Sequence, residues 1–247
     1  MPMKTSSDAT FWDHLEELRG CLLRSLLVIV AVGMVAFVFK ETLFNIVLAP
    51  RSSSFITYRL LHTASFTIPL MNTELTEQFF IHMRVAFYVG LLVASPYVIR
   101  HLFGFVAPAL YRQERKIVVR VGLAAYVMFI IGIIVSYFIV FPLTLKFLGT
   151  YQVSPDVANM LTLQSYVDTL LMLTLVMGIV FELPVVSALL SGMGILHRKD
   201  MRHYRRHALV AIVILSAVIT PSGDAFTLLV VALPIYLLYE LSILVAK

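Results

Sequence analysis

Three acids in this sequence occupy positions where a carboxylate needs a reason. Glu114 lies in the stretch Phe103 to Lys116, F-G-F-V-A-P-A-L-Y-R-Q-E-R-K, beside Arg112, Arg115 and Lys116. Glu17 lies just ahead of the first long apolar run, and Glu182 lies deep inside another, two residues before Pro184. A carboxylate matches the planar fork of a guanidinium in a bidentate geometry that an ammonium does not reproduce. Two acids at a membrane boundary could therefore present themselves to a cationic partner. Each also has a plainer reading: an exposed ion pair of Glu114 with Arg112 or Arg115, worth ~0–1 kcal/mol, and for Glu17 a helix-end charge favoured by the macrodipole. For Glu182 the cost is larger, roughly 2.5–3.5 kcal/mol for a charged group near the centre of a spanning helix. It must meet a polar group of another helix, act as a proton site, or pair within its own bundle. His203 and His207 are four apart and could share a helical face, but Arg202, Arg205 and Arg206 repel a cation there, so no metal site is expected.

The elements that carry these acids are apolar helices. Hydrophobic residues make up 60% of the 247 and charged residues 13%, where soluble chains carry about a quarter charged. Apolar runs near bilayer length recur throughout, which predicts an all-α polytopic membrane protein. Phe11, Leu15, Leu18 and Leu22 follow helical spacing, with Asp13 and Glu16 placed as a capping box. This predicts a short surface helix within an N-terminal segment, 1–21, that feeds a first span at about Leu22–Phe39. A long connection at about 40–78 predicts a small cap with short helices of its own. Further spans are expected at about Phe79–Ile99, Ile117–Phe141, Gln164–Leu190, Ala208–Thr220 and Phe226–Ala246. Pro108 is expected to end the helix after the second span, and Pro142 to open a loop after the third. Ala86, Gly90 and Ala94 form a small-xxx-small stripe suited to close helix packing. The fifth run is short for a crossing; with it the bundle, 22–246, has six transmembrane helices in one integral membrane domain covering 1–247.

Charge sets the expected orientation. Fourteen of the nineteen Lys and Arg fall in the N-terminal segment with the first turn of the first span (Arg24), the 100–120 region, the 197–207 loop and the C-terminus. The positive-inside rule places these, and so both termini, in the cytoplasm. The 40–78 loop is then extracytoplasmic. The single Cys21 excludes an intrachain disulfide. No nucleotide-binding, metalloprotease or nucleophile-elbow motif is present, so neither an enzyme nor a cofactor is expected. No internal repeat of the transporter kind is visible; a proton-coupled small-solute transporter using Glu182 stands as the alternative reading.

Taken together, several segments resemble one family. They are His14-Leu15-Glu16-Glu17-Leu18-Arg19, Phe105-Val106-Ala107-Pro108-Ala109-Leu110-Tyr111 leading to Glu114-Arg115, Phe181-Glu182-Leu183-Pro184, Thr220-Pro221 followed by Asp224, and the run 232–240. In order and spacing the chain resembles TatC, the polytopic core subunit of the twin-arginine protein translocase. The resemblance implies recognition of twin-arginine signal peptides on folded precursor proteins. It implies assembly with single-span partners of the TatA and TatB type, an oligomer, the bacterial cytoplasmic membrane, and export driven by the proton-motive force, with no nucleic acid involved. It further implies that Glu17 and Glu114, with Phe105 beside them, form the arginine-pair site. Glu182, with Thr220 nearby, would meet the partner's transmembrane helix. Cys21 departs from a frequent basic residue of the family, and Arg100-His101 from a common Tyr-Gln pair.

Overall fold

The computed structural model describes residues 11–110, 115–152, 154, 159–220 and 223–246, and of 11–14, 17, 102–110 and 115–120 the backbone alone. The described chain is almost wholly helical: α1 (Phe11–Val38), α2 (Lys40–Leu48), α3 (Ile56–Leu60), α4 (Glu77–Leu110), α5 (Arg115–Val135), α6 (Phe141–Thr150), α7 (Leu163–Val180), α8 (Leu183–Gly192), α9 (Arg198–His203), α10 (Arg205–Ile219) and α11 (Ala225–Val245). A 3-10 turn, Ala49–Arg51, follows α2, and a π-helical segment, Ser136–Val140, joins α5 to α6. Among the described residues, five stretches are long and apolar enough to cross a bilayer: Leu18–Val38, Glu77–His101, Val121–Thr150, Leu163–Gly192 and Ala225–Val245. The chain is therefore a multi-pass, all-α membrane protein. It divides into two compact units, residues 1–38 with 86–126 and residues 39–85 with 127–247.

In the first unit, glycine lets two helices meet backbone to backbone. A Cβ on Gly90 would fall 2.6 Å from the Ile29 carbonyl oxygen and 2.8 Å from the Gly33 nitrogen. Ala86 and Ala94, on the same stripe, are buried. Small residues are what close van der Waals packing needs where lipid is as apolar as leucine. The N-terminal helix feeds the first span without a break: α1 runs from Phe11 to Val38, and Asp13, expected at its cap, lies inside it.

Prolines explain the other departures. The helix through the second span continues past both Pro96 and Pro108 to Leu110, so residues 103–110 are helix and not loop. The third span likewise passes through Pro142, which sits in the first turn of α6, and continues to Thr150. A proline removes the N–H that would reach the carbonyl four residues back, and in a membrane that carbonyl must find another donor. Hydroxyls supply it. Pro96 would have served Leu92, whose carbonyl accepts from Ser95 Oγ at 2.6 Å. Pro142, in α-helical register, would have served Phe138, whose carbonyl accepts from Thr57 Oγ1. Pro50 would have served Ile46, or Val47 one residue nearer; their carbonyls accept from Tyr137 Oη at 2.6 Å and Tyr166 Oη at 2.8 Å. Tyr58 Oη also donates to the Pro142 carbonyl at 2.9 Å; burial pushes its phenol up, which keeps it a donor. At these three prolines a hydroxyl serves the carbonyl that the ring leaves without its helical donor.

These bonds dock a cap, residues 40–76, onto the second unit's spans. The cap contains α2, α3 and the strand Leu70–Met71, which pairs in parallel with Leu161–Thr162. Its Ile68 seats on Gly149, where a Cβ would meet the isoleucine Cδ1 at 2.6 Å. One buried acid ties the same corner. Glu77 Oε2 accepts from the Thr73 amide at 2.8 Å, the Glu74 amide at 3.1 Å and Thr73 Oγ1 at 3.1 Å, while Oε1 accepts from the Gln164 amide at 2.9 Å. These amides lie at or just before the starts of α4 and α7, where helix geometry leaves N–H groups without intrahelical partners. We predict that Glu77→Ala lowers stability by about 3 kcal/mol, since hydrogen bonds to a charged group contribute ~1.5–3 kcal/mol each. Thermal unfolding of the detergent-solubilised chain, with faster amide exchange at 73, 74 and 164, checks it; an unchanged midpoint refutes it.

Candidate functional site

The fourth span is where sequence and structure meet most directly. It is one apolar run, but Phe181 and Glu182 form a break between α7 and α8, and Glu182 occupies the position before the first residue of α8. Pro184 explains the break, because it cannot donate back to the Val180 carbonyl. Glu182 does not cap α8 with its side chain. Both of its carboxylate oxygens are buried and meet no hydrogen-bond partner among the described residues. Thr220, the residue closing α10, is 5% exposed, and its Oγ1 likewise has no partner among them. Ser216 Oγ, one turn earlier, is in the same condition. Both α8 and α10 pack along α11. Glu182 and Thr220 therefore stand at the ends of two helices that share a neighbour, and each has side-chain hydrogen-bonding capacity that no described residue uses. Polar atoms buried without partners each cost about 1–3 kcal/mol, and ionisable groups within spans are by default functional.

The break is held from the third span. A Cβ on Gly132 would meet the Met177 carbonyl oxygen at 2.7 Å, Gly178 Cα at 2.9 Å and Phe181 Cβ at 2.9 Å. In return, the Phe129 ring fills the space over Gly178, its Cε2 2.8 Å from where a Cβ would stand. A side chain at 132 would have to push the fourth span away at the residues that aim Glu182. We predict that Gly132→Leu costs about 3 kcal/mol through overpacking, read as a lower thermal midpoint in detergent. A midpoint within about 1 °C of wild type refutes it, since 1 kcal/mol already moves a domain of this size by roughly 2–4 °C.

The residues expected at the arginine-pair site are placed less completely. Glu17 lies on α1 and Phe105 on the last third of α4, with their side chains outside the described residues. Glu114 and its neighbour Arg112 lie outside the described residues altogether. At the positions that depart from the family, Tyr97 and His101 pack rings at 4.2 Å on α4, and Cys21 is half-buried on α1.

The 197–207 loop is built rather than free. Arg205 Nη2 pairs with Glu240 Oε2 at 2.6 Å, and Tyr236 Oη donates to Glu240 Oε1 at 3.2 Å. Tyr239 Oη donates to the Met201 carbonyl at 2.7 Å, over a core of Met201, Ile243 and Ala246. His203 and His207 do not share a continuous helix: it is interrupted at Tyr204, whose ring lies between theirs at 5.1 and 5.6 Å. Sequence reasoning passes over Glu77, whose signal is an acid in the first turn of a span, directly after a Thr-rich approach. It also passes over the Arg84–Asp168 ion pair that links α4 to α7.

Comparison with known proteins agrees across almost the full length. A family model described as Sec-independent protein translocase protein (TatC) matches residues 13–234. The Sec-independent protein translocase protein TatC of Deinococcus radiodurans is 36% identical over 242 residues, covering 98% of this chain and 87% of its own. That of Escherichia coli K12 is 30% identical over 239 residues, covering 95% and 86%. Two crystal structures of the twin arginine translocase receptor TatC, one of them in DDM, match with TM-scores of 0.78 and 0.80 at 31% identity. They cover 94% and 95% of this chain and 97% and 99% of their own. A multi-pass helical fold, a broken fourth span bearing a buried acid, and these likenesses point one way: the chain belongs to the TatC family and is a component of the twin-arginine, Sec-independent protein translocase.

Proposed function

We propose that this chain is the receptor and core subunit of its translocase, and that Glu182 is where a single-span partner of the TatA or TatB type docks in the membrane. The observation that carries the proposal is the buried Glu182 carboxylate at a helix break, unpartnered among the described residues. A polar side chain on an otherwise apolar partner helix would satisfy it, with Thr220 as a second contact. Glu17, Glu114 and Phe105 form the cytoplasmic site for twin-arginine signal peptides of folded precursors. The family likeness and the fit of carboxylates to guanidinium support this. The complex is oligomeric, lies in the bacterial cytoplasmic membrane and uses the proton-motive force.

The same proposal includes one integral membrane domain of six spans with both termini cytoplasmic. Two features support α10 as the short crossing. Its start is tied by Arg205 to Glu240, near the end of α11, whereas Phe226 at the start of α11 stacks on Phe147 of α6 at 4.5 Å. α10 therefore returns alongside α11 over the same distance in fifteen residues, about 22 Å at 1.5 Å per residue, a shortfall that local thinning of the bilayer can meet.

The test is co-purification of the chain with the single-span subunits and a twin-arginine precursor, wild type against Glu182→Ala. Loss of the single-span subunits with the precursor retained is expected. Equal recovery of those subunits from both chains overturns the docking assignment.

A further inference from the structure

The cap carries a concave surface lined by none of the residues proposed above for cargo recognition or partner docking. A groove of about 510 Å³ opens where the 3-10 turn and the ends of α2 and α3 meet the π-helical segment of the third span. Its lining is of two chemical kinds. One is apolar, supplied by Phe44, Leu48, Ile56 and Phe138. The other carries Arg51 with the hydroxyls of Ser52 and Ser54. Arg51 is half-buried and makes no ion pair with any described residue.

The backbone beneath the polar residues is held in place. The Arg51 carbonyl accepts from the Ile68 amide at 3.1 Å, and the Ser53 amide donates to the Phe66 carbonyl at 3.0 Å. The two serine hydroxyls lie 3.0 Å apart. The apolar side is equally held, since Phe55 stacks on Phe138 at 5.6 Å. Ile56 and Phe138 nonetheless remain 55% and 38% exposed. A guanidinium with no ion-pair partner among the described residues and a pair of hydroxyls suit a phosphate ester. The exposed apolar wall runs onto a membrane span, where the natural neighbour is an acyl chain. A free phosphate would leave that wall uncovered, and an apolar helix would leave the cation unmatched.

We propose that this groove binds an anionic phospholipid, its phosphate on Arg51 and the Ser52 and Ser54 hydroxyls and one acyl chain along Ile56 and Phe138. The lipid would fill the angle between cap and span and hold the cap at the bilayer surface.

The test is native mass spectrometry of the full chain released from detergent, titrated separately with dioctanoylphosphatidylglycerol, inorganic phosphate and dioctanoylglycerol. Saturable retention of the phosphatidylglycerol is expected, with each of the other two held at least tenfold more weakly. Arg51→Gln should weaken phosphatidylglycerol retention about ten- to hundredfold, the range of one charge-assisted contact, and Arg51→Lys should keep part of it. Ile56→Glu, an exposed position that leaves Arg51 in place, should weaken it at least tenfold with an unchanged thermal midpoint. That second variant decides the matter if Arg51→Gln fails to fold. Phosphatidylglycerol retention unaltered by Ile56→Glu overturns the proposal. So does inorganic phosphate bound as tightly as the lipid, which would make this a free-anion site. Loss of a protein partner in Ile56→Glu with lipid binding intact would assign the groove to that partner instead and overturn it too.

Discussion

A chain carrying both Glu17→Ala and Glu114→Ala is expected to bind a twin-arginine peptide about a hundred- to ten-thousandfold more weakly than wild type while still inserting into the membrane. The magnitude follows from the bond type. A hydrogen bond to a charged group contributes ~1.5–3 kcal/mol, so two carboxylates contribute roughly 3–6 kcal/mol, and each 1.4 kcal/mol is one decade in affinity. The selectivity follows from shape. A guanidinium engages a carboxylate through two parallel N–H donors, whereas an ammonium is a point charge with none of that preorganisation. Wild type should therefore discriminate strongly between peptides with Arg-Arg and Lys-Lys at the same positions. The double variant should bind both weakly and alike. Each single variant should lose about half the free energy if the acids act independently, and nearly all of it if one arginine bridges both. Site-directed crosslinking of a labelled peptide reads this directly. Unchanged crosslinking in the double variant would sink the assignment.

The sequence is most informative where the lipid dictates the answer. Hydrocarbon thickness sets helix length, so the apolar runs locate five spans to within a few residues at most ends. The cost of a charge in that medium makes Glu182 conspicuous from its position in an apolar run alone. Prolines mislead for the same physical reason that makes them informative. The rule that proline ends a helix assumes that water competes for the freed carbonyl, and inside a membrane it does not. At Pro142 the donor is Thr57, and the carbonyls ahead of Pro50 are served by Tyr137 and Tyr166, all more than eighty residues from the carbonyls they serve. No local window on the sequence contains both partners. Glu77 escapes notice on similar grounds, since its most distant amide, that of Gln164, becomes visible only when the starts of α4 and α7 meet. The break at Phe181–Glu182 comes closer to being legible, because Pro184 announces it two residues downstream.

The buried acid leads to a second large expectation, with opposite signs for stability and function. Glu182→Leu should stabilise the isolated chain by about 1–3 kcal/mol, the cost of leaving a buried polar group unmatched, and should reduce capture of single-span partners at least tenfold. The first half rests on Glu182 making no hydrogen bond to a described residue and no side-chain cap to α8, so leucine removes a burden and breaks no polar contact among them. Its volume is close to that of glutamate, which keeps the packing against the third span near Gly132 intact. The second half rests on the partner helix bringing a polar group that leucine cannot meet, so that the unmatched cost moves onto the complex. Glu182→Gln separates charge from hydrogen bonding: it should retain partial capture if a neutral amide suffices and lose it if the carboxylate is required. The thermal midpoint of the purified chain and recovery of the partner subunits are read on the same preparations. A Glu182→Leu chain destabilised by several kcal/mol would mean that the carboxylate serves an internal partner, as removal of one member of a buried pair does. Docking through Glu182 would then fall. A stabilised chain that no longer holds its partners would instead identify the break in the fourth span as a position where folding stability has been given up for assembly.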